Sequence, residues 1–355
     1  MNRPKLRDVA TMAGVDIATV SRALNKSRGV EALSAACIRR VEAAARKLGY
    51  RPNSHARSMR TGKANAIGVV APVNRAYWFM LPLTAGVHAA ALGHGCHCVT
   101  IGHEAGETAL ETARRFYAEG RIDGLILPYW SGKLEELRAV EKSGCPTVMI
   151  GASQGSRLPS VSVDDIAGMR MAVERLAQMG HRRILYVGYR QPEDAFRIGR
   201  RLAVQRRAEE LGLECSAWGL ATPSVPIDVE LEANRRELLR RMTNPLPATA
   251  AICYNDSIAL ALYAALQERG LRVPGDLSVI GFDDVFARLA YPPLTSVSHM
   301  FESLGNAAVD LLLAPASDDS KPQRILVEPI LVMRQSVRKL EDSTASTEAP
   351  GIRQL

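Results

Sequence analysis

Near its N-terminus the chain reads Asp16-Ile17-Ala18-Thr19-Val20-Ser21-Arg22, and these side chains suit the surface of a nucleic-acid duplex. Asp16 fits the N-cap of a helix, where its carboxylate accepts hydrogen bonds from exposed first-turn amides. The competing use is to accept from a cytosine amino group. Ile17, Ala18 and Thr19 fall on the first exposed turn of that helix. Ile17 and Ala18 offer only apolar contact, for which a thymine methyl is the natural partner; the alternative for Ile17 is to pack inward. Arg22, one turn further on the same face, reaches a guanine edge or a phosphate. Lys5, Arg7, Ser21, Asn25 and Lys26 suit phosphate oxygens, as Thr19 also can; such contacts fix register without reading sequence.

Three short helices position these residues. Leu6, Val9, Ala10 and Ala13 share one face of the first, and Gly14 supplies a turn where positive φ costs little. Val15, Val20 and Leu24 return the second helix onto the first. A third, about 34–48, carries Ile38, Val41, Ala45 and Leu48 at helical spacing and stops at Gly49. Two helices joined by a glycine turn form a helix-turn-helix, with the second helix aimed at a major groove. Charge agrees: residues 1–63 hold fourteen Lys/Arg and four Asp/Glu, a net +10 in a chain of +8, so the remainder carries −2. Tyr50-Arg51-Pro52-Asn53 reads as an extended linker, because Pro52 disfavours a helical residue before it. Residues 53–60 suit a short helix with Asn53 as N-cap, too short to stand without DNA or a partner subunit.

From Asn65 the pattern changes to alternating strands and helices. Strands are expected at 66–72, 96–101, 124–128 and 147–151, with helices at about 79–93, 106–119 and 133–143. A second series has helices at about 165–179, 196–211 and 256–269, and strands at 183–188, 249–253 and 277–281. Two β-α series predict two doubly wound parallel-sheet lobes, with a ligand in the cleft beyond the carboxyl ends of their strands. The Ser/Thr-rich acidic segment 341–355 is expected to be disordered and has no leucine heptads for a coiled coil.

With 47% apolar and 23% charged residues, the 355-residue chain has an ordinary globular balance. No apolar run reaches the ~18 residues of a membrane span, and the polar N-terminus has no secretory leader pattern, so a cytoplasmic location and no membrane partner are expected. The six Cys are scattered in apolar runs and read as thiols in a reducing compartment. Cys96-His97-Cys98, with His94 and His103 nearby, lacks a second pair at zinc spacing and reads as a buried strand rather than a metal site. No Gly-x-Gly-x-x-Gly follows a strand, no P-loop is present, and no catalytic Ser/His/Asp or carboxylate pair stands out. Neither enzymatic activity nor a cofactor is expected.

The motif Asp-Val-Ala-x-x-Ala-Gly-Val-x-x-x-Thr-Val-Ser-Arg-x-Leu-Asn (8–25), Leu48-Gly49-Tyr50-Arg51-Pro52-Asn53 and Ala56-Arg57-Ser58-Met59 resemble the lac/gal repressor family (LacI/GalR). Ile67-Gly68-Val69-Val70, Gly124-Leu125-Ile126-Leu127, Gly180-His181-Arg182-Arg183-Ile184, Asn255-Asp256, the run Val273–Asp284 and Pro292–Val297 extend the resemblance to about residue 338. It implies a headpiece at 1–52, a hinge at 53–64 and a periplasmic-binding-protein-like effector core at 65–340. The first lobe would comprise about 65–160 plus 291–324, the second 161–290 plus 325–340. The resemblance further implies a homodimer on a palindromic double-stranded operator, acting as a repressor through operator occupancy. Its paired hinge helices (Asn53, Ala56, Arg57) would enter the minor groove, with Met59 at the wedge position. In the cleft it implies effector contacts from Arg200, Asn255 and Asp283, with Asp256 capping the next helix. The family pattern Pro-Asp-x-x-Asn-Pro-Phe-Phe is here Pro72-Val73-Asn74-Arg75-Ala76-Tyr77-Trp78-Phe79, so Trp78 and Phe79 are candidate ring contacts for a sugar or flat heterocycle, or core residues. Gly151 stands where the family often has Asp. Arg197 and Arg200 together point to a carbohydrate effector, tilted toward a sugar acid. The competing class is a sugar-binding protein of the same core fold without a regulatory role.

Overall fold

The computed structural model describes residues 4–25, 33–50, 62–71, 79–102, 107–130, 132–151, 155–190, 195–221, 227–315 and 322–340. The chain divides into two compact units, one ending at Ala64 and the other beginning at Asn65.

The described residues of the first unit form three helices, α1 (Leu6–Ala13), α2 (Ile17–Asn25) and α3 (Ala35–Leu48). Val9, Ala10, Ala13, Val20, Ala23, Val41, Ala44 and Ala45 form its small core, ringed by Leu6, Val15, Leu24, Ile38 and Leu48. The helical spacing read from the sequence therefore marks the buried faces. Ala side chains let three short helices approach closely, and local caps add to helices too short to persist alone. The Lys5 amide donates to Asp8 at the start of α1 (2.7 Å), and Ser34 accepts from the Cys37 amide at the start of α3 (3.2 Å). Gly14 and Gly49 close α1 and α3 in the left-handed region, at φ 62° and 64°.

The second unit is built on two six-stranded sheets. In the first, the order is β11 (Arg324–Val327), β5 (Ser160–Val163), β4 (Thr147–Ile150), β3 (Gly124–Pro128), β1 (Ala66–Val70) and β2 (His97–Ile101), all parallel. In the second, it is β12 (Ile330–Val332), β10 (Thr295–Ser298), β9 (Ser278–Asp283), β8 (Ala250–Cys253), β6 (Arg183–Tyr189) and β7 (Glu214–Leu220). Only β12 runs antiparallel to its neighbour. The central strands are unbroken apolar runs because helices cover both faces; β1, β3, β4, β8 and β9 are buried throughout.

Helices α4 (Met80–Gly93), α5 (Ala109–Ala118), α6 (Leu134–Lys142) and α11 (Phe301–Leu313) belong to the first lobe. Helices α7 (Asp165–Gln178), α8 (Ala195–Glu210), α9 (Ile227–Arg241) and α10 (Asp256–Glu268) belong to the second. Gly86 of α4 and Gly305 of α11 let those two helices touch backbone to backbone: a Cβ on Gly305 would lie 2.6 Å from the Val87 nitrogen.

The lobe boundaries differ from the sequence expectation. β5 ends the first lobe's run at Val163 rather than 160, β10 keeps 295–298 in the second lobe, and β11 carries the first lobe to Val327 rather than 324. Among the described residues no helix lies between β4 and β5, so no change of period marked β5. β7, α9, β10, α11, β11 and β12 were likewise absent from the sequence reading; the edge strands β7, β11 and β12 are only partly buried, and the apolar runs of β11 and β12 are only three residues long. The expected hinge helix 53–60 and the segment 341–355 lie outside the described residues.

Candidate functional site

At the tip of α2, Asp16 Oδ1 accepts from the Thr19 amide (2.8 Å) and Oδ2 from the Thr19 hydroxyl (2.6 Å). These bonds hold the Asp16 carboxyl below its usual range. The carboxylate is thus occupied as a cap. Thr19 is the correction here: expected on the exposed turn, it is 8% exposed, drawn inward by Asp16. Ile17 is 52% exposed and Ala18 is exposed beside it, so Ile17 does not pack inward. Arg22 folds back, its Nε reaching the Ala18 carbonyl (3.4 Å) and Nη2 the Thr19 hydroxyl (3.3 Å). Lys5 and Arg7 are exposed and Ser21 is half-buried. The Asn25 side chain, Lys26, Asn53, Ala56, Arg57 and Met59 lie outside the described residues.

In the second unit a buried polar chain runs between the carboxyl ends of the two sheets. Arg200, in α8, is 2% exposed. Its Nε and Nη2 donate to Asp165 Oδ1 at 3.1 and 2.7 Å, and Nη1 donates to the Tyr254 carbonyl at 2.6 Å. Asp283, the last residue of β9, lies 3.6 Å from Nη2. The guanidinium also stacks on Phe282 (3.8 Å to the ring centre) and Tyr254 (4.6 Å). Burial opposes its charge, but Asp165, Tyr254, Asp283 and Tyr186 outweigh that and hold Arg200 above its ordinary value.

Asp283 continues the chain to His299, which follows β10: Nδ1 is 3.0 Å from the carboxylate, and Nε2 is 3.3 Å from the hydroxyl of Tyr129, just past β3 in the other lobe. Burial lowers His299 to about 4, so the ring is neutral near pH 7. It then donates from Nδ1 to Asp283 and accepts from Tyr129. Burial pushes Asp283 up to about 7 although Arg200 pulls it down. Tyr129, Asp283 and Met300 adopt positive φ without being glycine, at 44°, 98° and 50°, and such backbone strain collects at functional sites. The first lobe adds aromatic surface: Phe79 stacks on Phe301 (5.5 Å) and meets Tyr129 edge-on (4.9 Å).

Arg200 and Asp283 therefore come together, and Phe79 joins the same wall through Tyr129 and Phe301; Trp78 lies outside the described residues. Asn255 is the N-cap of α10, its Oδ1 accepting from the Ile258 amide (3.0 Å) and the Ser257 hydroxyl (2.9 Å). Asp256 is consequently not the cap that was expected. It is wholly buried and accepts from the Val285 amide (2.9 Å) and the Ser296 hydroxyl (2.6 Å), pinning the loop after β9. Asp165, His299, Tyr129 and Tyr254 were missed by the sequence reading. Their only signal was position, immediately before a helix or after a strand.

Arg200 is not offered as an anion clamp. Both edges and its faces are taken, which removes Arg200 from the basis for tilting the effector toward a sugar acid; the Arg197 side chain lies outside the described residues. Among the described residues no group of three His, Cys, Asp or Glu is placed to hold a metal. Cys96 is buried, Cys98 half-buried, and burial raises the Cys98 thiol. No disulfide joins the six cysteines. Among the described residues no helix is long and apolar enough to cross a membrane.

A helix-turn-helix unit followed by a two-lobed parallel-sheet core is the architecture of a DNA-binding regulator. Residues 5–53 match bacterial regulatory proteins of the lacI family, and residues 173–337 match a periplasmic binding protein-like domain. The chain is 30% identical over 345 residues to the HTH-type transcriptional repressor PurR of Haemophilus influenzae, covering 94% of this chain and 99% of that one. It is 31% identical over 346 residues to the HTH-type transcriptional regulator CelR of Thermobifida fusca, covering 94% and 98%. The lac repressor dimer bound to operator and the anti-inducer ONPF superposes with a TM-score of 0.76 at 26% identity, covering 95% of this chain and 100% of that one. A CelR–cellobiose complex superposes at 0.61 with 27% identity, covering 94% and 100%. The chain belongs to the lacI family of bacterial transcriptional regulators. It is a DNA-binding protein, not an enzyme.

Proposed function

We propose that the chain is a cytoplasmic repressor that binds a palindromic operator as a homodimer and is controlled by a small hydroxyl-rich molecule in the cleft between its lobes. Residues 1–52 read DNA, 53–64 form the hinge and 65–340 bind the effector. Ile17 and Ala18 face base edges, Arg22 a guanine or phosphate, and Lys5, Arg7, Ser21, Asn25 and Lys26 the backbone. Asn53, Ala56, Arg57 and Met59 meet the minor groove. Thr19 acts through Asp16 by shaping the tip of α2.

The observation that carries the effector reading is the buried Asp165–Arg200–Asp283–His299–Tyr129 chain spanning both lobes. Its carboxylates present acceptors, so a ligand supplying O–H donors complements them, and the rings of Phe79, Tyr129 and Phe301 suit the C–H face of a sugar. A carbohydrate fits this chemistry, as does the presence of a cellobiose complex and ribose operon repressors among the relatives. Asn255 and Trp78 are assigned to the same cleft.

The test is a thermal-shift screen of neutral sugars, sugar acids and nucleobases on the full chain, since a saturating ligand at about 100 times its Kd adds about 2.7 kcal/mol. A stabilising neutral sugar whose effect is abolished in Asp283→Asn supports the assignment. Stabilisation by nucleobases alone overturns the carbohydrate reading. Footprinting on genomic DNA should reveal protected palindromes whose occupancy falls with salt; its failure to find any refutes operator binding.

A further inference from the structure

At the tip of α2 the polar side chains Asp16, Thr19 and Arg22 are bonded to one another within the helix, and the hydrocarbon of Ile17 and Ala18 is presented beside them. Both carboxylate oxygens of Asp16 are held by Thr19. Thr19 itself is buried, and Arg22 is bonded back to Ala18 and Thr19. The Ile17 side chain stands outward, 52% exposed, with the exposed Ala18 methyl beside it. This exposed β-branched residue at the head of a helix, in a unit of net charge +10, stands outside the unit's apolar core as the described residues form it. Such a surface cannot tell hydrogen-bond donors from acceptors on a base edge. It can detect one major-groove feature, the C5-methyl of a pyrimidine, which is apolar and projects into the groove.

Resting on the DNA-binding reading above, we propose that Ile17 and Ala18 form a methyl reader whose target is the C5-methyl itself rather than the A·T pair that carries it. The consequence is chemical: 5-methylcytosine places the same methyl at the same groove position, so it substitutes for thymine, whereas deoxyuridine, identical to thymine in every hydrogen-bonding group, does not. Cytosine methylation at that position then creates a binding determinant where plain cytosine offers none.

The experiment begins with selection of random duplex DNA by the full-length protein, after which thymines of the enriched duplex are replaced one at a time. At the position under Ile17, deoxyuridine should weaken binding about four-fold per half-site, the worth of one buried methyl. Exchanging that pair for 5-methylcytosine·guanine should bind about four-fold tighter than exchanging it for cytosine·guanine. Ile17→Ala, which folds because Ile17 is exposed and alanine is the better helix former, should lose most of the thymine/deoxyuridine difference. An enriched duplex indifferent to deoxyuridine at every position overturns the methyl reader and leaves DNA binding standing. Wild-type deoxyuridine sensitivity in Ile17→Ala overturns the assignment to Ile17. A pool that yields no enriched sequence overturns the DNA-binding reading and the methyl reader with it.

Discussion

Replacing Arg200 by methionine should expose how much of the core's stability depends on one buried charge. Methionine keeps an apolar stem between Phe282 and Tyr254, so the loss is chiefly electrostatic. Asp165 loses both hydrogen bonds it takes from the guanidinium, the Tyr254 carbonyl loses its 2.6 Å donor, and Asp283 loses the cation 3.6 Å away. Removing one partner from a buried ion pair costs about 3–5 kcal/mol because the other charge stays buried. The orphaned carbonyl adds about 1 kcal/mol or more. For a core of this size that corresponds to a fall in melting temperature on the order of 10 °C. The deficit must also depend on pH. Burial already carries Asp283 to about 7 in the wild type, and without the guanidinium that pulls it down its carboxyl titrates higher still. A raised carboxyl pKa means the folded state holds a proton that the unfolded chain releases. The penalty is therefore full at alkaline pH and shrinks as pH falls through the raised values. Scanning fluorimetry of wild type, Arg200→Met and Arg200→Met/Asp165→Asn across mildly acid to mildly alkaline pH tests this. The double variant should recover part of the alkaline loss, since only one unpaired carboxyl remains. An Arg200→Met protein that melts within about 2 °C of wild type at alkaline pH, or whose deficit is the same at all pH values, refutes the charge argument.

Gly305→Ala should destabilise the first lobe by about 3 kcal/mol in urea unfolding, because the new Cβ meets the Val87 nitrogen at 2.6 Å and the Leu83 carbonyl oxygen at 2.7 Å, both backbone atoms that cannot step aside. Burial raises Asp256 from 3.8 to about 7, so it favours the fold most at acid pH and loses that contribution, about 4 kcal/mol, as pH rises between those values. Asp256→Asn should flatten the fall in stability across this window, measured by denaturant titration at several pH values. Asp16→Ala should speed hydrogen exchange in the first turn of α2 roughly five-fold by removing its cap, with little change in exchange of the second unit.

The first unit was nearly all legible in the sequence, and the reason is local. Its core residues sit three and four apart on short helices, its turn is a glycine with positive φ, and its caps contact residues three positions away. The one misplaced side chain there, Thr19, went wrong because a hydroxyl was assumed to seek DNA when Asp16 lies within reach. In the second unit the central strands were legible as apolar runs. Edge strands such as β7, partly exposed along its length with no regular alternation, and the four-residue β5 carried too weak a pattern. The cleft was legible only in part. Arg200 and Asp283 were found, but Asp165, 35 positions from Arg200, and His299, 170 positions from Tyr129, are linked to the site by contacts that no spacing encodes.

By itself the sequence determined that a basic helix-turn-helix precedes two parallel-sheet lobes, because charge, helical period and strand period are properties of neighbouring residues. Only the tertiary structure decided which polar groups remain available to a ligand. It turned Arg200 from a free anion clamp into the centre of an ion pair, made Asn255 rather than Asp256 the cap, and left Ile17 and Ala18 as the exposed surface at the tip of α2. The physical reason is that burial forces polar groups to find partners, and those partners come from strand ends and helix starts far apart in the chain.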